Sequence, residues 1–137
     1  MVHEITLMDA YLIEALKTAE VPDNEILEAV SQQKIGNLKD RTGGSFDFTS
    51  FYEIEAYLPE ILQNGYQVKF LTFPGLKRLL ELKLEKKEDV DYTVHEFQIE
   101  GLALTSIEKV ELETFLSRNW MIESTDGGVY TIKPKTE

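Results

Sequence analysis

The sequence predicts an α+β fold: a helical N-terminal part, then a mixed α/β unit ending in a helix and a β-hairpin. Three observations carry this. Apolar residues recur at helical spacing from Met8 to Ala19. Side chains alternate between apolar and polar from Tyr66 to Phe70. Asp126-Gly127-Gly128 separates two further alternating runs, a strong hairpin signal. With 137 residues, 42% of them hydrophobic, the chain can bury a core, and domains of ~100–200 residues are the norm. The expected organisation is a helical segment over 1–40 and an α+β core over 46–134, joined in one compact unit.

Thr6 is placed to cap a first helix over about 6–19, with Asp9 in capping-box position and Met8, Tyr11, Leu12, Ala15, Leu16 and Ala19 on its apolar face. Val21-Pro22-Asp23 breaks it, and Asp23 is the expected cap of a second helix carrying Ile26, Leu27 and Val30. Gly36-Asn37 reads as a stop or turn, and residues 37–50 as a linker rich in loop formers. A strand or extended entry is expected at 46–48. A helix follows from about 50 to 64, kinked or restarted at Pro59 because proline lacks the amide donor.

Tyr66, Val68 and Phe70 then mark a strand, and Pro74 the first turn of a helix with Leu76, Leu79 and Leu80 on one face. On its surface, Lys77, Glu81 and Glu85 stand four apart as a ladder. Lys86 to Asp91 is a charged turn. Tyr92 to Glu100 reads as one strand whose phase fault calls for a bulge near His95-Glu96. Thr105 with Glu108 caps a helix over 106–118, with Leu112, Phe115 and Leu116 inward and Ile107 and Val110 opposite. Trp120 and Ile122, the Gly turn and Val129 to Lys133 complete the hairpin.

This last unit resembles the final helix and wing of winged-helix domains, over roughly a third of the chain and in element order alone. The resemblance implies DNA binding, but the helix carries Glu108, Glu111 and Glu113, the wrong sign for a groove between phosphates. Residues 31–41 resemble a helix-turn-helix recognition segment. Gln32 and Gln33 would be base readers, and Lys34, Lys39 and Arg41 phosphate contacts. The spacing is poor, and Gly36 interrupts the helix.

Charge directs the functional reading. There are 25 acidic and 14 basic side chains, for a net −11. Residues 1–47 hold nine acids and four bases, 48–88 six of each, and 89–137 ten acids and four bases. Nucleic acid is therefore not the expected ligand of the molecule as a whole. The absence of cysteine excludes disulfides, thiolate metal sites and cysteine nucleophiles. No phosphate loop, nucleophile elbow or cofactor motif is present. His95 near Asp89, Asp91 and Glu96 lacks the pattern of a divalent-cation loop. No catalytic residue, metal or cofactor is expected.

The opening residues lack a charged and then apolar leader, and no apolar run approaches the ~18 residues that span a bilayer. A soluble, cytoplasmic protein is expected. The expected function is a non-enzymatic protein-binding module for a basic protein surface. It would be either an inhibitor that mimics nucleic-acid charge, of phage or mobile-element type, or an immunity or antitoxin protein. Asp89, Asp91, Glu96 and Glu100 form the expected acidic face, and Phe46, Phe48 and Phe51 an exposed aromatic anchor. A helix-turn-helix or winged-helix regulator using residues 31–41 is the alternative.

Overall fold

The computed structural model describes residues 2–135. It is a mixed α+β chain in which helices lead into a four-stranded antiparallel sheet. The elements are β1 (His3–Ile5), α1 (Leu7–Thr18), α2 (Asp23–Ser31), α3 (Gly36–Arg41), α4 (Leu58–Asn64), β2 (Tyr66–Val68), α5 (Phe73–Leu84), β3 (Thr93–His95), β4 (Gln98–Ala103), α6 (Ser106–Phe115), β5 (Trp120–Asp126) and β6 (Val129–Pro134). β1 and β2 form a two-stranded sheet. The chain divides after Tyr66 into two compact units.

In the first unit, Thr6 caps α1 by accepting from the Asp9 N–H at 3.1 Å. Ala10, Leu12, Ile13 and Leu16 of α1 are buried. Two acids of the same helix are buried with them, which the apolar pattern did not show. Asp9 accepts from Ser50 Oγ at 2.6 Å and Glu14 from the Tyr66 hydroxyl at 2.7 Å. A buried carboxylate without a donor would cost several kcal/mol, on the order of its desolvation penalty, so these bonds tie α1 to distant parts of the unit.

Four expectations for this unit are corrected. Gly36 begins α3 instead of stopping a helix. Asp23 is the first helical residue of α2, and Pro22 is the cap residue. Residues 37–50 are not a free linker: α3 occupies the first part, and Phe48 and Phe51 are buried in the last. In place of one helix over 50–64 there is a 3-10 turn at Thr49–Tyr52 and then α4, which restarts with Pro59 in its first turn. Proline is tolerated there because those N–H groups have no helical partner anyway.

In the second unit, Thr72 caps α5 by accepting from the Gly75 N–H at 3.1 Å. Leu76, Leu79 and Leu80 are fully buried. The sheet order is β3-β4-β6-β5. Thr105 and Glu108 form the expected capping box on α6, with Leu112 and Phe115 buried and Ile107 and Val110 exposed. β5 and β6 pair around the Asp126-Gly127-Gly128 turn as expected.

The expected bulge near His95 is a second hairpin. His95 pairs with Gln98, and Glu96 takes a left-handed conformation (φ 57°) to make the turn. The phase fault in the sequence marks a reversal of the chain, not an extra residue. Phe70, expected to continue the β2 alternation, is 65% exposed. Among the described residues, no helix is long and apolar enough to cross a membrane.

Candidate interaction face of the second unit

Phe97 stands at the tip of the β3–β4 hairpin and is 66% exposed. The strained Glu96 turn positions it. Its ring meets Phe73 edge-on at 5.9 Å, and Phe73 stacks on Trp120 at 5.8 Å. Trp120 is buried, and its indole N–H donates to the Leu71 carbonyl at 2.6 Å. Asn119 Nδ2 donates to the same carbonyl, and the Leu71 N–H donates to Ser117 Oγ, both at 3.0 Å. These bonds hold the turn that delivers Thr72 and Phe73. The aromatic row thus has a rigid buried end and an open end. Beside the open end lies a groove of about 300 Å³ lined by Glu96, Phe97, Gln98, Lys133 and Pro134.

Contacts continue from this row into an acidic cluster. Lys77 Nζ lies 5.1 Å from the centre of the Phe73 ring and pairs with Glu88 at 3.1 Å. That pairing replaces the expected ladder partner Glu81. Tyr92 lies beyond. Its hydroxyl is pushed up to about 12 by burial first, and then by the negative charges of Glu88, Glu81, Asp89 and Asp91. The charges of these four carboxylates are near enough to act on the Tyr92 hydroxyl. Val90, between Asp89 and Asp91, is 77% exposed.

The expected site residues divide accordingly. Asp89 and Asp91 belong to the cluster, and Asp91 also accepts from the Lys87 N–H at 2.8 Å. Glu96 adjoins Phe97. Glu100 is half-buried in β4, opposite Thr93. Phe46, Phe48 and Phe51 do not form an exposed anchor. Phe48 and Phe51 are core residues in an edge-to-face pair at 5.4 Å, and Phe46 is half-buried against Phe48. The apolar packing of the first unit claims them, although they follow a polar, glycine-containing loop. Sequence reasoning missed Phe73, Phe97, Glu88 and Val90 as surface residues. The reversed phase at His95-Glu96 was the available signal, since a hairpin there puts Phe97 at a tip.

The basic set of the alternative reading lies in the first unit. Gln32, Gln33, Lys34 and Lys39 are exposed. Arg41, however, donates from Nη1 to both carboxylate oxygens of Glu25 at 2.9 Å. Glu25, Glu28 and Asp40 share one cleft with Lys34 and Arg41. α3 is six residues long, less than two turns. A phosphate would meet three carboxylates beside these two cations.

His3 lies in β1, bonded to Glu60 at 2.7 Å and packed on Tyr57. Among the described residues, no group of three or more His, Asp or Glu is placed to hold a metal ion. In comparisons with known proteins, the chain matches no protein-family model, no curated protein and no solved structure.

Proposed function

We infer that the chain is a non-enzymatic protein-binding module whose second unit captures a basic segment of a partner protein. The observation that carries this is the exposed Phe97, set on a rigid aromatic row that runs through Lys77 into the Glu81, Glu88, Asp89 and Asp91 cluster. Exposed aromatics with a fixed base lose little side-chain entropy on binding, and so make good anchors. The surrounding carboxylates steer a cationic partner and disfavour an anionic one. Two biological settings fit this chemistry. In one, the partner is a nucleic-acid-handling protein inhibited by charge mimicry, as phage and mobile elements use. In the other, it is a basic toxin neutralised by an immunity or antitoxin protein.

The test is selection of a random peptide-display library on the full chain. Enriched peptides should carry several Lys or Arg residues and one large apolar residue. Phe97→Ala should weaken them about tenfold, the effect of a modest hot spot. Joint replacement of Asp89, Asp91, Glu96 and Glu100 by Asn or Gln should slow association and flatten its salt dependence. Enrichment of acidic or uncharged peptides, or binding indifferent to both variants, contradicts the reading.

A further inference from the structure

The four-stranded sheet ends at β5, which among the described residues pairs only with β6. The Lys135 N–H donates to the Asn119 carbonyl at 2.9 Å, which sets the phase of that ladder. Bonded and non-bonded pairs alternate in an antiparallel ladder, so Asn119, Met121 and Glu123 turn their backbone groups toward β6. Ile122 and Ser124 turn theirs outward. The Trp120 N–H, also outward, is taken up by the Ser117 carbonyl at 3.2 Å.

Two rows of side chains cross the sheet and stop at this edge. On the inner face, Ile99, Ile132 and Ile122 are successive cross-strand neighbours. Ile99 and Ile132 are fully buried, but Ile122 is only half-buried, because no strand lies beyond it. On the outer face, Glu123 lies opposite Thr131 and is exposed; Lys133 takes its Oε2 at 2.9 Å, so Oε1 is the atom through which it would meet a second cation. A second copy of the chain is a poor occupant. Two chains of net −11 each repel, and in the register that pairs Ile122 with its partner's Ser124 two Glu123 side chains would also stand directly opposite.

We propose that β5 accepts an extended segment of a partner protein as a fifth strand, with Lys or Arg opposite Glu123 and an apolar residue opposite Ile122. Backbone bonds to Ile122 and Ser124 supply affinity, and the alternating rows supply register and charge preference. The proposal takes from the proposed function only the basic character of the partner. It places the contact at the sheet edge and not at Phe97.

The experiment titrates the full chain with a capped peptide, Thr-Val-Lys-Val-Lys-Val-Thr, and follows amide hydrogen exchange residue by residue. Two control peptides replace both Lys by Glu, or carry N-methyl groups on the three Val residues. The Lys peptide should slow exchange at Ile122 and Ser124 about tenfold when roughly nine-tenths of the sites are filled. Both controls should leave these amides unchanged, and Glu123→Lys should transfer the preference to the Glu peptide. The proposal is overturned if no peptide binds, if the N-methylated peptide binds as well as the parent, or if the Lys peptide binds without slowing these two amides. In that last case, loss of binding in Phe97→Ala would leave the proposed function standing while the edge docking falls.

Discussion

The two units divide the surface chemistry of this protein unequally. Residues 1–66 hold twelve acids and four bases, a net −8, whereas residues 67–137 hold thirteen acids and ten bases, a net −3. Exposed large apolar side chains run the other way. The first unit shows Met8 and Tyr57; the second shows Phe70, Val90, Phe97, Ile107 and Val110. Charge acts at a distance and sets how often partners meet. Apolar contact acts at van der Waals range and sets how long they stay. The proposed account therefore adds the first unit's net charge to the steering by the second unit's own carboxylates, and gives the second unit the grip.

The sharpest way to break this contrast is through the aromatics. Phe51 in the first unit and Trp120 in the second are core residues. Truncating either to Ala should destabilise the chain by about 3–5 kcal/mol in chemical denaturation. Phe97→Ala should cost under about 1 kcal/mol, as an exposed site does. If Phe97→Ala proves as costly as Trp120→Ala, Phe97 is a structural residue and the second unit loses its anchor.

Buried polar chemistry distinguishes the units at a smaller scale. Tyr66→Phe removes the hydroxyl that donates to the buried Glu14 carboxylate. Bonds to charged groups contribute about 1.5–3 kcal/mol, so a loss in that range is expected from denaturant midpoints at neutral pH. A change below about 0.5 kcal/mol would mean that Glu14 is satisfied without Tyr66.

A titration sharpens the second unit's side of the comparison. The Tyr92 hydroxyl ionises at about 12 in the folded chain, against the model-compound value of 10.0. Between these values the unfolded chain loses a proton that the folded chain keeps, so stability falls as pH rises through that window. Tyr92→Phe should remove this part of the alkaline slope. Replacing Glu88, Asp89 and Asp91 by Gln or Asn should move the Tyr92 absorbance titration back toward 10, with burial keeping part of the rise. An unmoved titration would show that the carboxylates do not act on Tyr92.

Local chemistry was legible in the sequence, and tertiary placement was not. Thr6, Thr105 with Glu108, and Pro74 announced helix starts through groups that satisfy or lack the first N–H donors. Asp126-Gly127-Gly128 announced its hairpin through a different local signal, a glycine able to take the positive φ of the turn (Gly128, φ 80°). The β3–β4 turn escaped notice because Glu96, a residue with a Cβ, holds the left-handed conformation that glycine signals elsewhere. Phe48 and Phe51 were misplaced because their neighbours in sequence are polar, while their neighbours in space are not. Asp89 and Asp91 were legible as charge. Their clustering with Glu81 and Glu88 around Tyr92, and the link through Lys77 to Phe73 and Phe97, depend on contacts that no local pattern records.

The most direct test of steering by one unit and grip by the other is a kinetic one, using the peptides selected on the full chain. Association and dissociation rates would be measured across a salt series for three proteins. These are the wild type, Phe97→Ala, and a first-unit variant with Glu20, Asp23, Glu28 and Glu53 changed to Gln or Asn. The account predicts that the first-unit variant associates more slowly at low salt with an unchanged dissociation rate. Phe97→Ala should dissociate about tenfold faster with nearly unchanged association. If the charge variant alters only dissociation, or Phe97→Ala alters only association, the assignment of roles to the two units is wrong.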